Sequence, residues 1–222
     1  MPKIVAFDIE TAGLEPGEVS ILEFGAVIDD FETPLGELPT FRRLVYNEQV
    51  TGNHYALGMH VDSGILKELQ TADPDEDEGV VRPDELAYKF ARFLYDNGFT
   101  GDDGFTGSIE EAVGQNRLVA AGKNIASFDI PHVEASLEGF GDFINFHHRV
   151  LDPGPLYFDP KKDDTPPTLS ECMERAGFED TETEHTGVAD SKDVVKLLRH
   201  AYGYQPEAGG KVADRKPTLP FK

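Results

Sequence analysis

The sequence predicts one α/β domain built on a mixed five-stranded sheet flanked by helices. Three observations carry that expectation. The chain begins with an almost unbroken apolar run, Ile4 to Phe7, rich in β-formers and read as a buried central strand. Two further strand patterns follow closely, as in an antiparallel meander. Strand patterns then alternate with helical ones to the end of the chain, which favours a single mixed sheet. At 222 residues the chain is long enough for one full core.

The elements follow in order. Ser20 to Ile28 reads as the second strand and Phe41 to Tyr46 as the third, joined through a Pro- and Gly-containing stretch, Thr33 to Pro39. A short helix is expected over Val61 to Leu69. The acidic run Asp73 to Glu78 reads as a solvated loop. Arg82 to Asn97 reads as a helix, with Leu86, Phe90, Phe93 and Leu94 on one face. Gly98 to Asn116, rich in Gly, Asp and Thr, reads as a loop or insertion. Arg117 to Ala121 is expected as the fourth strand. Ser127 is a candidate N-cap for a helix to Leu137, with Pro131 tolerated in its first turn. His148 to Leu151 is expected as the fifth strand, before a Pro-rich loop from Pro153 to Pro167. Helices are expected over Thr168 to Ala176, where Cys172 falls with Leu169, Met173 and Ala176, and over Gly187 to Tyr202. The chain thus divides into a domain, 1–204, and an extended basic tail, 205–222, with Lys211 to Lys222 carrying four basic residues.

Composition narrows the function classes. The formal net charge is −22, from 42 acidic and 20 basic residues, which disfavours sequence-independent binding along a duplex. It leaves room for a local site that receives one strand end. One cysteine excludes an internal disulfide, and no Cys/His set has zinc spacing. No apolar run approaches the ~20 residues of a membrane span. Pro2-Lys3 leads straight into a strand, so no signal peptide is expected and the protein is read as cytoplasmic.

The chemistry-bearing residues begin in the first strand. Side chains alternate along a strand, so Ile4, Ala6, Asp8 and Glu10 share one face. The two carboxylates stand roughly 6–7 Å apart at Cα. Burying such a pair is costly without a neutralising partner, and no Lys or Arg lies between Lys3 and Arg42. A divalent cation held by hard oxygen ligands fits; the plainer alternative is that Asp8 merely opens a turn ending at Gly13. Asp129, in the first turn of its helix, serves either that helix's N-terminal dipole or a site. Asp190 lies on the apolar stripe of the last helix with Val194 and Leu197, where a charge needs compensation. His185 precedes it by five positions. His147 and Asp152 share the same spacing, but that pair has no helix to present the carboxylate, so His185 with Asp190 is preferred.

Taken together, Asp8-x-Glu10, Asn124-x3-Phe128-Asp129 and His185-x4-Asp190 resemble the motifs of the DEDD exonuclease superfamily, in its histidine-containing (DEDDh) branch. That branch includes polymerase proofreading exonucleases, ribonuclease T and oligoribonuclease. Phe7 to Leu14 is similar to the family's first motif, and Met59 to Ile65 to the segment after the third strand in oligoribonuclease-type members. The resemblance spans about Ile4 to Leu198. It implies a ribonuclease H-like fold and a metal-dependent 3′–5′ exonuclease acting on 3′ ends of single-stranded DNA or RNA, short oligonucleotides included, in proofreading or end trimming. It also implies Asp8, Glu10, Asp129 and Asp190 as ligands of two Mg²⁺ or Mn²⁺ ions, and His185 as general base. Thr11, Leu14, Met59, Asn124 and Phe128 are the candidate substrate contacts, and the tail is a candidate docking segment for a replication partner. The competing readings are oligoribonuclease-like degradation of short RNA and, in a different class, a non-catalytic acidic interaction protein on a nuclease fold.

Overall fold

A computed structural model describes residues 3–102, 105–178 and 186–204. Five strands form one mixed sheet in the order β4-β3-β2-β1-β5. They are β1 (Ile4–Thr11), β2 (Ile21–Asp29), β3 (Thr40–Val45), β4 (Val80–Val81) and β5 (Val119–Ala121). The first three run as an antiparallel meander, while β5 pairs parallel to β1 and β4 parallel to β3.

The alternation of β1 sorts the interior into two cores. Val5, Phe7 and Ile9 face one side, with Phe24 of β2, Phe41 of β3 and helix α3 (Pro83–Asp96). That side is an aromatic cluster: Phe90 of α3 meets Phe24 edge-on at 4.8 Å, and Phe7 stacks on Phe24 at 5.4 Å. Helix α3 starts at Pro83, with Glu85 accepting the Arg82 N–H at 2.9 Å. Ile4 and Ala6 face the other side, against Val194, Val195 and Leu198 of helix α8 (Gly187–Tyr202). Asp8 and Glu10, continuing that register, therefore open toward α8.

Helix α8 lies along β2 and is fastened to it at both ends. Glu23 accepts the Gly187 N–H at 2.7 Å, and Asp29 pairs with Arg199 in a fully buried ion pair. The lengths match: 12 helical steps rise about 18 Å and six strand steps about 20 Å.

Several expectations are corrected. The 148–151 segment forms no strand; it meets β5 through one isolated bridge, Ala121 to Leu151, and a second bridge, Leu118 to Phe146, lies ahead of both, with a tight turn at His147–Arg149 interrupting the pairing between them. The fifth strand is Val80–Val81, which follows the acidic turn. The helix expected over Val61 to Leu69 is two: α1 (His54–Asp62), capped by Asn53, and α2 (Ile65–Thr71), separated by Gly64 at φ 88°. Within Gly98 to Asn116 lies α4 (Ile109–Gly114), which a Ser108–Glu111 capping box starts. Helix α5 (Asp129–Ser136) begins after Phe128; the Ser127 hydroxyl donates to Asn124 O and does not cap it. Short α6 (Phe140–Phe143) and α7 (Leu169–Arg175) complete the α-helices among the described residues, with Cys172 of α7 buried as expected. The 205–222 tail and the acidic run at 179–184 lie outside the described residues. Among those described, no helix is long and apolar enough to cross a membrane.

Candidate active site

Asp8 and Glu10 meet Asp190 where the start of α8 crosses the end of β1. One oxygen from each of the three carboxylates lies within 4.8 Å of the others. Helix and sheet reach this separation because two glycines face each other. A Cβ on Gly187 would stand 2.7 Å from Asp8 O and 2.9 Å from Gly25 N, and one on Gly25 would overlap the Gly187 and Val188 backbone. The Ser191 hydroxyl donates to Gly25 O at 3.3 Å, closing the turn that carries Asp190.

Asp129 arrives from the opposite edge of β1. Strand β5 pairs with β1 only as far as Ala6. Beyond that point the Asp129 carboxylate, only 2% exposed, accepts the Ile9 N–H at 3.2 Å. The side chain thus continues the edge pairing that β5 leaves off, at the start of its own helix.

The electrostatics follow from burial. Burial first, and then Asp129, Asp190, Glu10 and Glu23, hold the Asp8 carboxyl well above the usual carboxylate range. Burial pushes Glu10 up to about 8, with Asp190, Glu23 and Asp129 adding to it. Asp129 rises to about 7 through burial, although hydrogen bonds from the Ile9 and Asp129 N–H groups favour its charged form. Such a group of acids gains most from a compact, multiply charged cation. Carboxylate oxygens at this spacing suit Mg²⁺ or Mn²⁺ in ligand type and charge.

His185 lies outside the described residues, immediately before Thr186, the N-cap of α8. The other histidine of matching spacing sits in a loop: His147 stacks on His148 at 4.4 Å and accepts the Arg149 N–H. Its Asp152 organises the turn after β5, accepting from Asn124 N at 2.9 Å and Gly154 N at 2.7 Å. Lys123 stands 3.9 Å from that same Asp152.

The candidate substrate residues separate by exposure. Leu14 is 71% and Met59 54% exposed, and their segments are docked together: Asn53 N donates to Ala12 O at 2.8 Å, and His60 Nε2 meets Thr11 O at 2.8 Å. The Thr11 hydroxyl is buried and donates to Gly13 O at 2.6 Å. Asn124 is exposed at φ 58°, its side chain accepting from Lys123. Phe128 packs partly on the core and against the His132 ring, centroids 4.3 Å apart.

Two residues of the site escaped the sequence reading. His60, buried in α1, brings Nδ1 to 3.8 Å from Glu10. Glu23, fully buried on β2 and paired with Glu10 across the ladder, is the second. A carboxylate inside the apolar Ile21 to Ile28 run was the available signal for Glu23. His60 falls within Met59 to Ile65, on a helix that begins at His54 and not at Val61 as the sequence predicts.

No protein-family model and no curated protein matches the chain. Solved structures do. The zinc-bound complex of E. coli exonuclease I with single-stranded DNA aligns with a TM-score of 0.55 at 12% identity, over 93% of this chain and 42% of that one. S. pombe Pop2p in its Mg²⁺- and Mn²⁺-bound form aligns with a TM-score of 0.54 at 12% identity, over 90% and 82%. The fold is ribonuclease H-like. The chain spans less than half the length of exonuclease I, whose dA16 complex aligns at 14% identity with a TM-score of 0.54.

Proposed function

We propose that the chain is a divalent-metal-dependent 3′–5′ exonuclease that releases nucleoside 5′-monophosphates from the 3′ ends of single-stranded DNA or RNA. The observation that carries this reading is the convergence of Asp8, Glu10 and Asp190 at the end of β1, on a ribonuclease H-like fold. Asp8, Glu10, Asp129 and Asp190 would hold two Mg²⁺ or Mn²⁺ ions, their four negative charges matching four positive ones. Bound there, the ions would supply an activated water and charge stabilisation at the leaving 3′-oxygen. His185, directly ahead of α8, takes the proton from the attacking water; an imidazole titrating near ~6.5 suits that task. Glu10 approaches the terminal 3′-hydroxyl. Exposed Leu14 and Met59 offer apolar surface to the last base, while Thr11 acts through its backbone and the turn that its hydroxyl locks.

The bound forms of exonuclease I and Pop2p support the substrate class and the metals respectively. We assign residues 1–204 to the catalytic unit and leave the 205–222 stretch outside it. The deciding experiment uses matched DNA and RNA oligonucleotides labelled at the 5′ end, with Mg²⁺, with Mn²⁺ and with EDTA. A ladder of products shortened from the 3′ end, abolished by EDTA, is the expected result. Undiminished digestion in excess EDTA overturns the reading, and no digestion with either metal leaves the non-catalytic alternative in its place.

A further inference from the structure

Glu23 is the acid of the site that the ligand set does not use. It is completely buried, directly opposite Glu10 in the β1–β2 ladder, and its charge disfavours ionisation of both Asp8 and Glu10. Both of its oxygens are engaged elsewhere. Oε1 accepts the Gly187 N–H at 2.7 Å; Oε2 accepts from Arg42 Nε at 2.8 Å, and Arg42 also reaches Glu68 of α2. Burying a carboxylate beside three others raises the electrostatic cost of the apo fold, and apolar packing would hold a helix to a sheet without that cost. What Glu23 adds is direction. The first N–H groups of a helix have no partner within it, and Gly187 is the first residue of α8, one turn ahead of Asp190. The turn bearing Asp190 is thereby fixed before it by Glu23 and after it by Ser191 on Gly25.

We propose that Glu23, braced by Arg42, is a positioning residue that sets Asp190 against Asp8 and Glu10 by gripping the first N–H of α8. The inference rests on the reading of these carboxylates as a metal site, and it makes metal affinity depend on the reach of a residue that touches no metal. Two substitutions separate reach from charge. Glu23→Asp keeps the charge but is one methylene too short to reach the Gly187 N–H while it is held by Arg42. Glu23→Gln drops the charge but, through its one amide oxygen, still reaches the Gly187 N–H; it gives up only the bond from Arg42, which Glu68 continues to hold.

The test is Mn²⁺ binding to the full chain by calorimetry, with unfolding temperatures in EDTA recorded in parallel. Glu23→Asp should bind Mn²⁺ about tenfold more weakly or worse, as outer-sphere changes commonly do, and Glu23→Gln should stay within about threefold of the unaltered protein. In an Asp190→Asn background, Glu23→Asp should cause no further loss, since the residue it positions is gone. The reverse order, Gln weak and Asp normal, overturns the proposal in favour of a simple charge effect. An undiminished loss from Glu23→Asp in the Asp190→Asn background overturns it as well. Should Glu23→Asp not fold, Glu23→Gln decides alone: near-normal affinity supports the proposal and a tenfold loss overturns it. Failure of the unaltered protein to bind Mn²⁺ strikes the metal-site reading itself, and is told apart from these outcomes by that one measurement.

Discussion

Asp8 and Glu10 share the β1 face that turns toward α8, and the fate of each when altered is different from that of an ordinary buried acid. Asp8→Asn removes a charge that its neighbours oppose, so the variant should fold at least as stably as the unaltered protein in EDTA. It should nonetheless lose more than about 10³-fold in nuclease rate, beyond what losing a single electrostatic donor typically causes. Oligonucleotide cleavage paired with thermal unfolding checks both halves. His185→Ala should lower the rate by about 10²–10⁴-fold, as expected for a missing general base, while Mn²⁺ still binds. His147→Ala should leave the rate close to normal, because His147 is occupied in a loop with His148 and Arg149. Cleavage rates of the two variants side by side test the choice between the two His-x4-Asp pairs. Asp8, Glu10 and Asp190 were legible in sequence because strand and helix periodicity alone place them on apolar faces. Glu23 shows in the sequence only as a carboxylate within an apolar run, and His60 not at all, since their partners lie 164 and 49 positions away, a backbone N–H and a backbone oxygen that no side-chain pattern encodes.

At the level of elements, legibility followed the strength of the local pattern. Helix α8 and the meander stand where the sequence put them, because long apolar periods outweigh other local preferences. Strand β4 is two residues long and exists because Leu44 and Val45 lend it an edge, which is a tertiary cause. Helix α4 hid in a Gly- and Asp-rich segment whose Ser108-x-x-Glu111 signal was present but outweighed by composition. Helix α3 gives a direct test of the packing. Phe90 is fully buried among Phe24, Phe41 and Phe140, whereas Tyr88, two positions earlier, is half exposed. Phe90→Ala should destabilise the fold by about 3–5 kcal/mol through the cavity it leaves. Tyr88→Ala should change stability by no more than about 0.5 kcal/mol, as surface substitutions do. Urea unfolding in EDTA measures both.

For the whole molecule the site sets an unusual dependence of stability on pH. Unfolded carboxylates ionise near pH ~4, whereas Glu10 and Asp129 in the apo fold hold their protons up to about 8 and about 7, and Asp8 is shifted in the same direction. Between those limits the folded state binds more protons than the unfolded one, so these groups' contribution is full below pH ~4 and fades as pH rises through 7 and 8. The unfolding temperature in EDTA should therefore fall as pH is raised from about 5 to 8.5. Saturating Mn²⁺ should oppose that fall, since a cation held at this site would favour the ionised carboxylates. Scanning fluorimetry across this range checks the sign. The −22 net charge makes a second demand. Few phosphates can meet Lys or Arg, so binding of single strands should weaken only shallowly with added salt. A steep salt slope, together with affinity that grows with strand length, would reveal a cationic track. Asp8 and Glu10 are in the first strand, but Asp190 enters only with the last helix, and Glu23 cannot seat that helix until Gly187 exists. Chains emerge from the ribosome N-terminus first, so a copy that stops short of α8 carries only part of the carboxylate cluster. On a growing chain, then, Asp8 and Glu10 wait near the front for a carboxylate that is made about 180 residues later, and the cluster can close only once the segment bearing Asp190 has been added.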